Sequence, residues 1–245
     1  MIPYRDDNPH FRTPIVTLGL ILTNLVIWLV IQQAGEPAVL ATTVCELGLI
    51  PGELAHLVKP GSMIELGNGA GCVLGTSPTW FTPLTSMFLH GGWMHLIGNM
   101  WFLWVFGNNV EDAMGRERFL AFYLLCGLAA AFGQVAVAPR SLLPMVGASG
   151  AISGVMGAYV FLYPRVRVHM FFLLLIIPIT FAIPAWTMIG YWFLIQLFGG
   201  LISSSDAGGV AFWAHVGGFL GGVLLLPLFR DPALVARHRR QAAWS

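Results

Sequence analysis

Four residues stand out in this 245-residue chain because their side chains are expensive where they fall: His95, Asn99, Ser149 and His215. Each lies in a stretch apolar enough for a lipid bilayer, where strongly polar groups are costly and mark function. A serine hydroxyl is a poor nucleophile until a base removes its proton, and neutral histidine suits that task near pH 7. Ser149 and His215 are therefore the candidate nucleophile and base. The tetrahedral anion such a pair generates needs hydrogen-bond donors. Ser149 opens a predicted helix, whose first backbone N–H groups have no partner within it. The Asn99 amide is a second candidate donor, and His95 a third.

Taken singly, each residue has a plainer reading. Gly147-Ala148-Ser149-Gly150 is rich in small residues that serve helix packing, a lone histidine can relay protons, and His95 with Asn99 can cross-link helices. Spacing favours the joint reading. His95 and Asn99 are four apart and share one helix face. Ser149, Ser153 and Gly157 form a small-residue stripe, and His215, Gly218 and Gly222 share another face. Small residues let helices approach closely in lipid, which predicts contact between the Ser149 hydroxyl and the His215 imidazole.

The elements that position these residues are spans. With 57% hydrophobic and 9% charged residues, the chain is far more apolar than a soluble domain needs to be. The segment from Thr13 to Gly35 is uncharged, longer than a signal-peptide core and without a convincing cleavage site, so it reads as a retained span. Further spans are expected at about 93–110, 119–138, 149–163 and 208–229, beside the first at 14–31. The interval 168–205 is divided by Pro178 and Pro184; residues 186–198 read as the core of the fifth span in order, preceded by an apolar stretch near the interface or only partly within the membrane. The expected fold class is thus an all-α membrane protein of six transmembrane helices, forming a single domain over 1–245.

Positive residues favour cytoplasmic loops. With six spans, Arg5, Arg12, Arg116, Arg118, Arg165, Arg167, Arg230, Arg237, Arg239 and Arg240 fall on the side of both termini, ten of the twelve Lys and Arg residues, opposite Lys59 and Arg140. A two-span hairpin over 168–205 would split them six against six. Both termini are therefore expected in the cytoplasm, with the four polar residues in the outer half of the bilayer. If the sixth helix starts near Gly208, His215 lies roughly 10 Å along it. The region 34–90 is then an outer loop, and Trp80 and Trp93, near its membrane end, read as headgroup anchors. It holds Cys45 and Cys72, whose pairing is left open by the sequence, whereas Cys126 reads as a buried packing residue. The basic residues are scattered, so no nucleic-acid partner is expected. The tail 230–245 suits contact with anionic lipid.

At these residues the sequence resembles the rhomboid family of intramembrane serine proteases. His90-Gly91-Gly92-Trp93-Met94-His95 with Asn99 is similar to the family's histidine-rich start of the second span, and Gly147-Ala148-Ser149-Gly150 to its nucleophile motif. Ala214-His215-Val216-Gly217-Gly218 resembles the base-bearing sixth span, and Glu111-Asp112 with Gly115 the turn after the second. The resemblance covers roughly residues 81–228. It implies a six-helix bundle and a Ser149–His215 dyad without an acidic third member. It further implies an oxyanion site of Asn99, His95 and the Ser149 backbone, with structural support from His90, Gly147, Gly150 and Gly218. The substrates implied are transmembrane segments of other proteins, cut near the outer face of a membrane, here a bacterial inner membrane. Two departures are visible. A Trp-Arg pair common before the first histidine motif is absent from Trp80-Phe81-Thr82-Pro83-Leu84. Ser153 stands where some relatives carry an aromatic that stacks on the base.

Three rival readings remain: an inactive relative that binds membrane helices without cutting them, a proton-coupled transporter, and a metal site of His90, His95 and His215. Retention of Ser149 with His215 opposes the first, and a transporter does not require a reactive serine. No His-Glu-x-x-His pattern supports a metal, so neither metal nor cofactor is expected. A glycine- and serine-rich segment over 199–209, with Ser203-Ser204-Ser205, is the candidate lid.

Overall fold

The computed structural model of the protein describes residues 2–67, 70–75, 79–175, 177–202 and 210–242. The chain begins with strand β1 (Ile2–Asp6) and enters helix α1 (Ile15–Val26), which continues as a π-helical turn over Ile27–Ile31. Pro14 precedes α1 and offers it no side-chain cap. Instead the Glu111 carboxylate, from a later helix, accepts the N–H groups of Val16 and Thr17 at 3.0 and 2.8 Å and the Thr17 hydroxyl at 2.8 Å. A buried carboxylate and the unpartnered donors of a helix start thus satisfy each other. The neighbouring Asp112 accepts the Phe11 N–H at 2.5 Å.

The expected outer loop is not loop throughout. It holds α2 (Pro37–Leu47), α3 (Pro51–Leu54), β2 (Met63–Gly67), β3 (Ala70–Val73) and α4 (Thr82–Thr85), the last followed by a 3-10 turn over Ser86–Phe88. Glu36 starts α2 by accepting the Val39 N–H at 2.9 Å, with Pro37 at the first helical position. A disulfide joins Cys45 to Cys72 and so ties α2 to β3. Leu49 and Met145 exchange backbone hydrogen bonds of 3.0 and 2.7 Å, docking this subdomain on the segment that leads to Ser149.

The long helices follow: α5 (Trp93–Met114), α6 (Arg116–Val137), α7 (Ser149–Leu162), α8 (Ala185–Ile202) and α9 (Phe212–Phe229), with α10 (Pro232–Ala242) at the C-terminal end. Among the described residues, three helices are long and apolar enough to cross a membrane, α6, α8 and α9; α7 and the first helix with its π-turn are shorter and apolar. α9 packs chiefly on α6 and α7. Its start at Phe212, rather than near Gly208, puts His215 in its first turn, roughly 5 Å along the helix. Residues 203–209 of the candidate lid lie outside the described residues, and 199–202 complete α8.

The protein is mostly helical but not all-α. β4 (Arg167–Leu174) and β5 (Ile177–Pro184) form an antiparallel hairpin, and β1 joins it to give a three-stranded sheet in the order β1-β4-β5. Apolar stretches without polar alternation do not distinguish a strand from a helix, which is why residues 168–184 read as an interfacial stretch. The prolines decide it. Pro178 and Pro184 both sit on the edge strand, where a missing N–H is tolerated. The Tyr159 hydroxyl donates to the Asp6 carboxylate, fastening the sheet to the far end of α7, and His169 of β4 pairs with Asp7, the residue after β1, at 2.7 Å.

Candidate active site

Ser149 is the first residue of α7 and His215 lies in the first turn of α9. The two helices meet through glycines. A Cβ on Gly218 would stand 2.0 Å from the Gly150 carbonyl oxygen, and one on Gly222 2.1 Å from that of Gly154. A Cβ on Gly157 would lie 2.6 Å from the Phe219 carbonyl oxygen. The contact stripe on α7 is therefore Gly150, Gly154 and Gly157, which shares Gly157 with the expected stripe but has Gly150 and Gly154 in place of Ser149 and Ser153. This turns Ser149 to the side of the contact, where its hydroxyl oxygen lies 2.7 Å from His215 Nε2.

His95 and Asn99 project from the first two turns of α5 towards the same point, and a cavity of about 870 Å³ is lined by His95, Asn99, Ser149, His215, Trp192 and Trp213. Among the described residues, Asn99 Nδ2 is buried without a hydrogen-bond partner. A buried amide donor without an acceptor is costly unless something arrives to use it. The Gly91 N–H donates to His95 Nδ1 at 3.4 Å, which leaves the His95 proton on Nε2. That nitrogen would lie 2.7 Å, and Asn99 Nδ2 3.5 Å, from a Cβ built on Gly147. Gly147 has φ +125°, so only glycine fits both the backbone and the space beside these two donors. The first-turn N–H groups of α7 lie next to it.

His90 is buried against His95 with ring centroids 5.2 Å apart. Burial, with the neighbouring His95 adding to it, pushes His90 down to about 3, so it is neutral at pH 7. Its backbone is gripped by Gln32 at the end of the first helix, which accepts the His90 N–H at 2.9 Å and donates to the His90 carbonyl oxygen at 2.8 Å. Trp28, fully buried, packs edge-on to Trp93, 5.5 Å between centroids. The expected supporting residues thus lie around the histidine segment and the α7–α9 contact.

Gln196 and Trp192, both on α8, were not anticipated from the sequence. Gln196 Oε1 lies 2.7 Å from His215 Nδ1, and the Trp192 ring lies 5.8 Å from the imidazole at 38°. The cost of a polar side chain in an apolar span, which singled out His95 and Asn99, applies equally to Gln196 and was the signal available. The Ser153 hydroxyl is turned away from a role as hydrogen-bond donor to the base and donates to the Ser149 carbonyl oxygen at 2.6 Å.

Together these groups present an oxygen nucleophile, an imidazole in contact with it, and a set of donors around an adjoining space. That is the equipment for acyl transfer. Comparison with known proteins gives the same direction. The family model described as Rhomboid domain matches residues 77–232. The chain is 37% identical over 144 residues to Rhomboid protease GluP of Bacillus subtilis (strain 168), covering 58% of this chain and 25% of that protein. It is 39% identical over 77 residues to Rhomboid-like protein 11, chloroplastic, of Arabidopsis thaliana, covering 31% and 27% respectively. It is also 36% identical over 94 residues to the human Presenilin-associated rhomboid-like protein, mitochondrial, covering 37% and 24%. The matched stretches thus span about a quarter of the length of these relatives. With a family match over more than half its length and apolar helices suited to a bilayer, this chain is an integral membrane protein and belongs to the rhomboid family.

Proposed function

We propose that the protein is an intramembrane serine endopeptidase that cuts transmembrane segments of other proteins with a Ser149–His215 dyad. The observation that carries this reading is the 2.7 Å contact between His215 Nε2 and Ser149 Oγ, made across two helices whose glycines bring them together. His215 accepts the Ser149 proton as Oγ attacks the substrate carbonyl carbon. The oxyanion is held by Asn99 Nδ2, His95 Nε2–H and the Ser149 backbone N–H. His215 then delivers the proton to the leaving amine, and a water molecule, activated by the same imidazole, hydrolyses the acyl-enzyme. A helical peptide bond is hydrogen-bonded and shielded, so the substrate must unwind before it reaches Ser149, and a path beside α8 suits its arrival.

In this reading the chain is one membrane domain with six spans, both termini cytoplasmic, and the cavity opening towards the outer side of a bacterial inner membrane. The asymmetry of Arg and Lys supports the orientation, and a disulfide between Cys45 and Cys72 accords with an oxidising outer compartment.

The test is cleavage of a single-span model substrate in liposomes by wild type, Ser149→Ala and His215→Ala, alongside fluorophosphonate labelling. The expected outcome is cutting by wild type alone and labelling lost in both variants. Equal cutting by all three sinks the dyad. A wild type that neither cuts nor labels points to an inactive helix-binding relative or a transporter.

A further inference from the structure

A base works in one tautomer only. To take the Ser149 proton, His215 must present a bare Nε2, with its own proton on Nδ1. No carboxylate among the described residues contacts Nδ1; what faces it is Gln196 Oε1 at 2.7 Å. An amide reversed end for end would put an N–H there, drive the imidazole proton to Nε2 and spoil the base. The choice between the two is made by a second contact. Gln196 Nε2 donates to the Trp192 carbonyl oxygen at 3.5 Å, and reversal would set two oxygens against each other. Gln196 is 6% exposed, so water offers little alternative.

The seat of α8 at this level is close. A Cβ on Gly199 would meet the Phe212 ring at 2.5 Å, and one on Gly200 the Trp213 ring at 2.9 Å. The Trp192 ring lies tilted against the imidazole. With Ser153 turned to the Ser149 carbonyl, orientation of the base comes from α8.

We infer that Gln196 is a positioning residue for His215, holding the Nδ1–H tautomer from a helix that carries neither the nucleophile nor the side-chain oxyanion donors. This rests on the serine-protease reading above. It makes the site a Ser149–His215–Gln196 arrangement whose neutral third member fixes geometry without adding a negative charge or taking up a proton.

The experiment is nitrogen-15 NMR of the full chain, labelled at histidine, in detergent micelles, with the His215 signals assigned by their loss in His215→Ala. Wild type at neutral pH is expected to carry the proton on Nδ1. Gln196→Met, an apolar side chain of similar length, is expected to shift the tautomer towards Nε2–H. It should also lower kcat about tenfold with KM and thermal midpoint little changed. Wild type protonated on Nε2 overturns the inference without need of a variant. Gln196→Met with wild-type kcat, or with reduced kcat and an unchanged tautomer, overturns it as well. Failure of wild type to cut any substrate would count against the protease reading, while the tautomer would still decide the role of Gln196.

Discussion

Gly218 on α9 passes so close to Gly150 on α7 that a Cβ would stand 2.0 Å from the Gly150 carbonyl oxygen. The obstacle is backbone, which cannot swing aside, so Gly218→Ala must part the helices that hold Ser149 and His215. A misplacement of about 1 Å costs roughly a hundredfold in rate. Gly218→Ala is expected to lose about that much kcat/KM in the liposome assay. Gly190→Ala, where a Cβ meets nothing within 4 Å, should leave the rate unchanged.

Asn99 carries a buried donor with no partner among the described residues, poised beside the His95 proton. In the proposed reaction that donor is used only when the oxyanion forms. Asn99→Ala should therefore lower kcat by about 10²–10³-fold with little change in KM. A variant that raises KM alone would show that Asn99 binds substrate rather than the oxyanion.

Glu111 serves the fold at the end of α5 remote from His95. Its carboxylate holds two N–H groups and one hydroxyl at the start of α1, and removing it strands those donors in a buried place. Glu111→Ala is expected to cost about 3 kcal/mol, read as a lower thermal midpoint in detergent. The fraction that remains folded should cut at near the wild-type rate.

His90 gives a pH signature. Its folded value of about 3 lies below the 6.5 of the unfolded chain, so between those limits the unfolded state takes up a proton that the native state refuses. Stability due to this residue is whole above pH 6.5 and is lost as pH falls towards 3. Asp6 acts in the opposite sense, since burial raises it from 3.8 to about 6 and favours the native state as pH falls through that range. The measurement is therefore a difference: thermal midpoints of wild type and His90→Asn from pH 7.5 to 4.5. The wild type should lose more on acidification, and parallel curves would refute the assignment.

The cluster of His95, Asn99, Ser149 and His215 was legible because polar side chains are conspicuous in apolar helices and their spacing puts them on defined faces. Gln196 was equally conspicuous but its partner comes from another helix, and nothing in a single span announces that pairing. Spacing does not choose between Ser153 and Gly154 for the α7 stripe, because both are small and only the α9 backbone distinguishes them. β4 and β5 escaped because uncharged stretches fit strand and helix alike until register is known. The Glu111 cap was hidden for a related reason, since its helix start lies about 95 residues away.

The three-stranded sheet also has a consequence for how the chain is made. β1 emerges from the ribosome before its partner β4, which lies some 165 residues later, with Ile2 opposite Phe171. At about 5–20 residues per second, the N-terminal strand waits on the order of ten to thirty seconds for the edge it will occupy. Until then the backbone edge that will pair with β4 is unclaimed. Its arrival on β4 must wait until Phe171 has been made, and the Tyr159–Asp6 bond is a latch that becomes available before α8 and α9 follow.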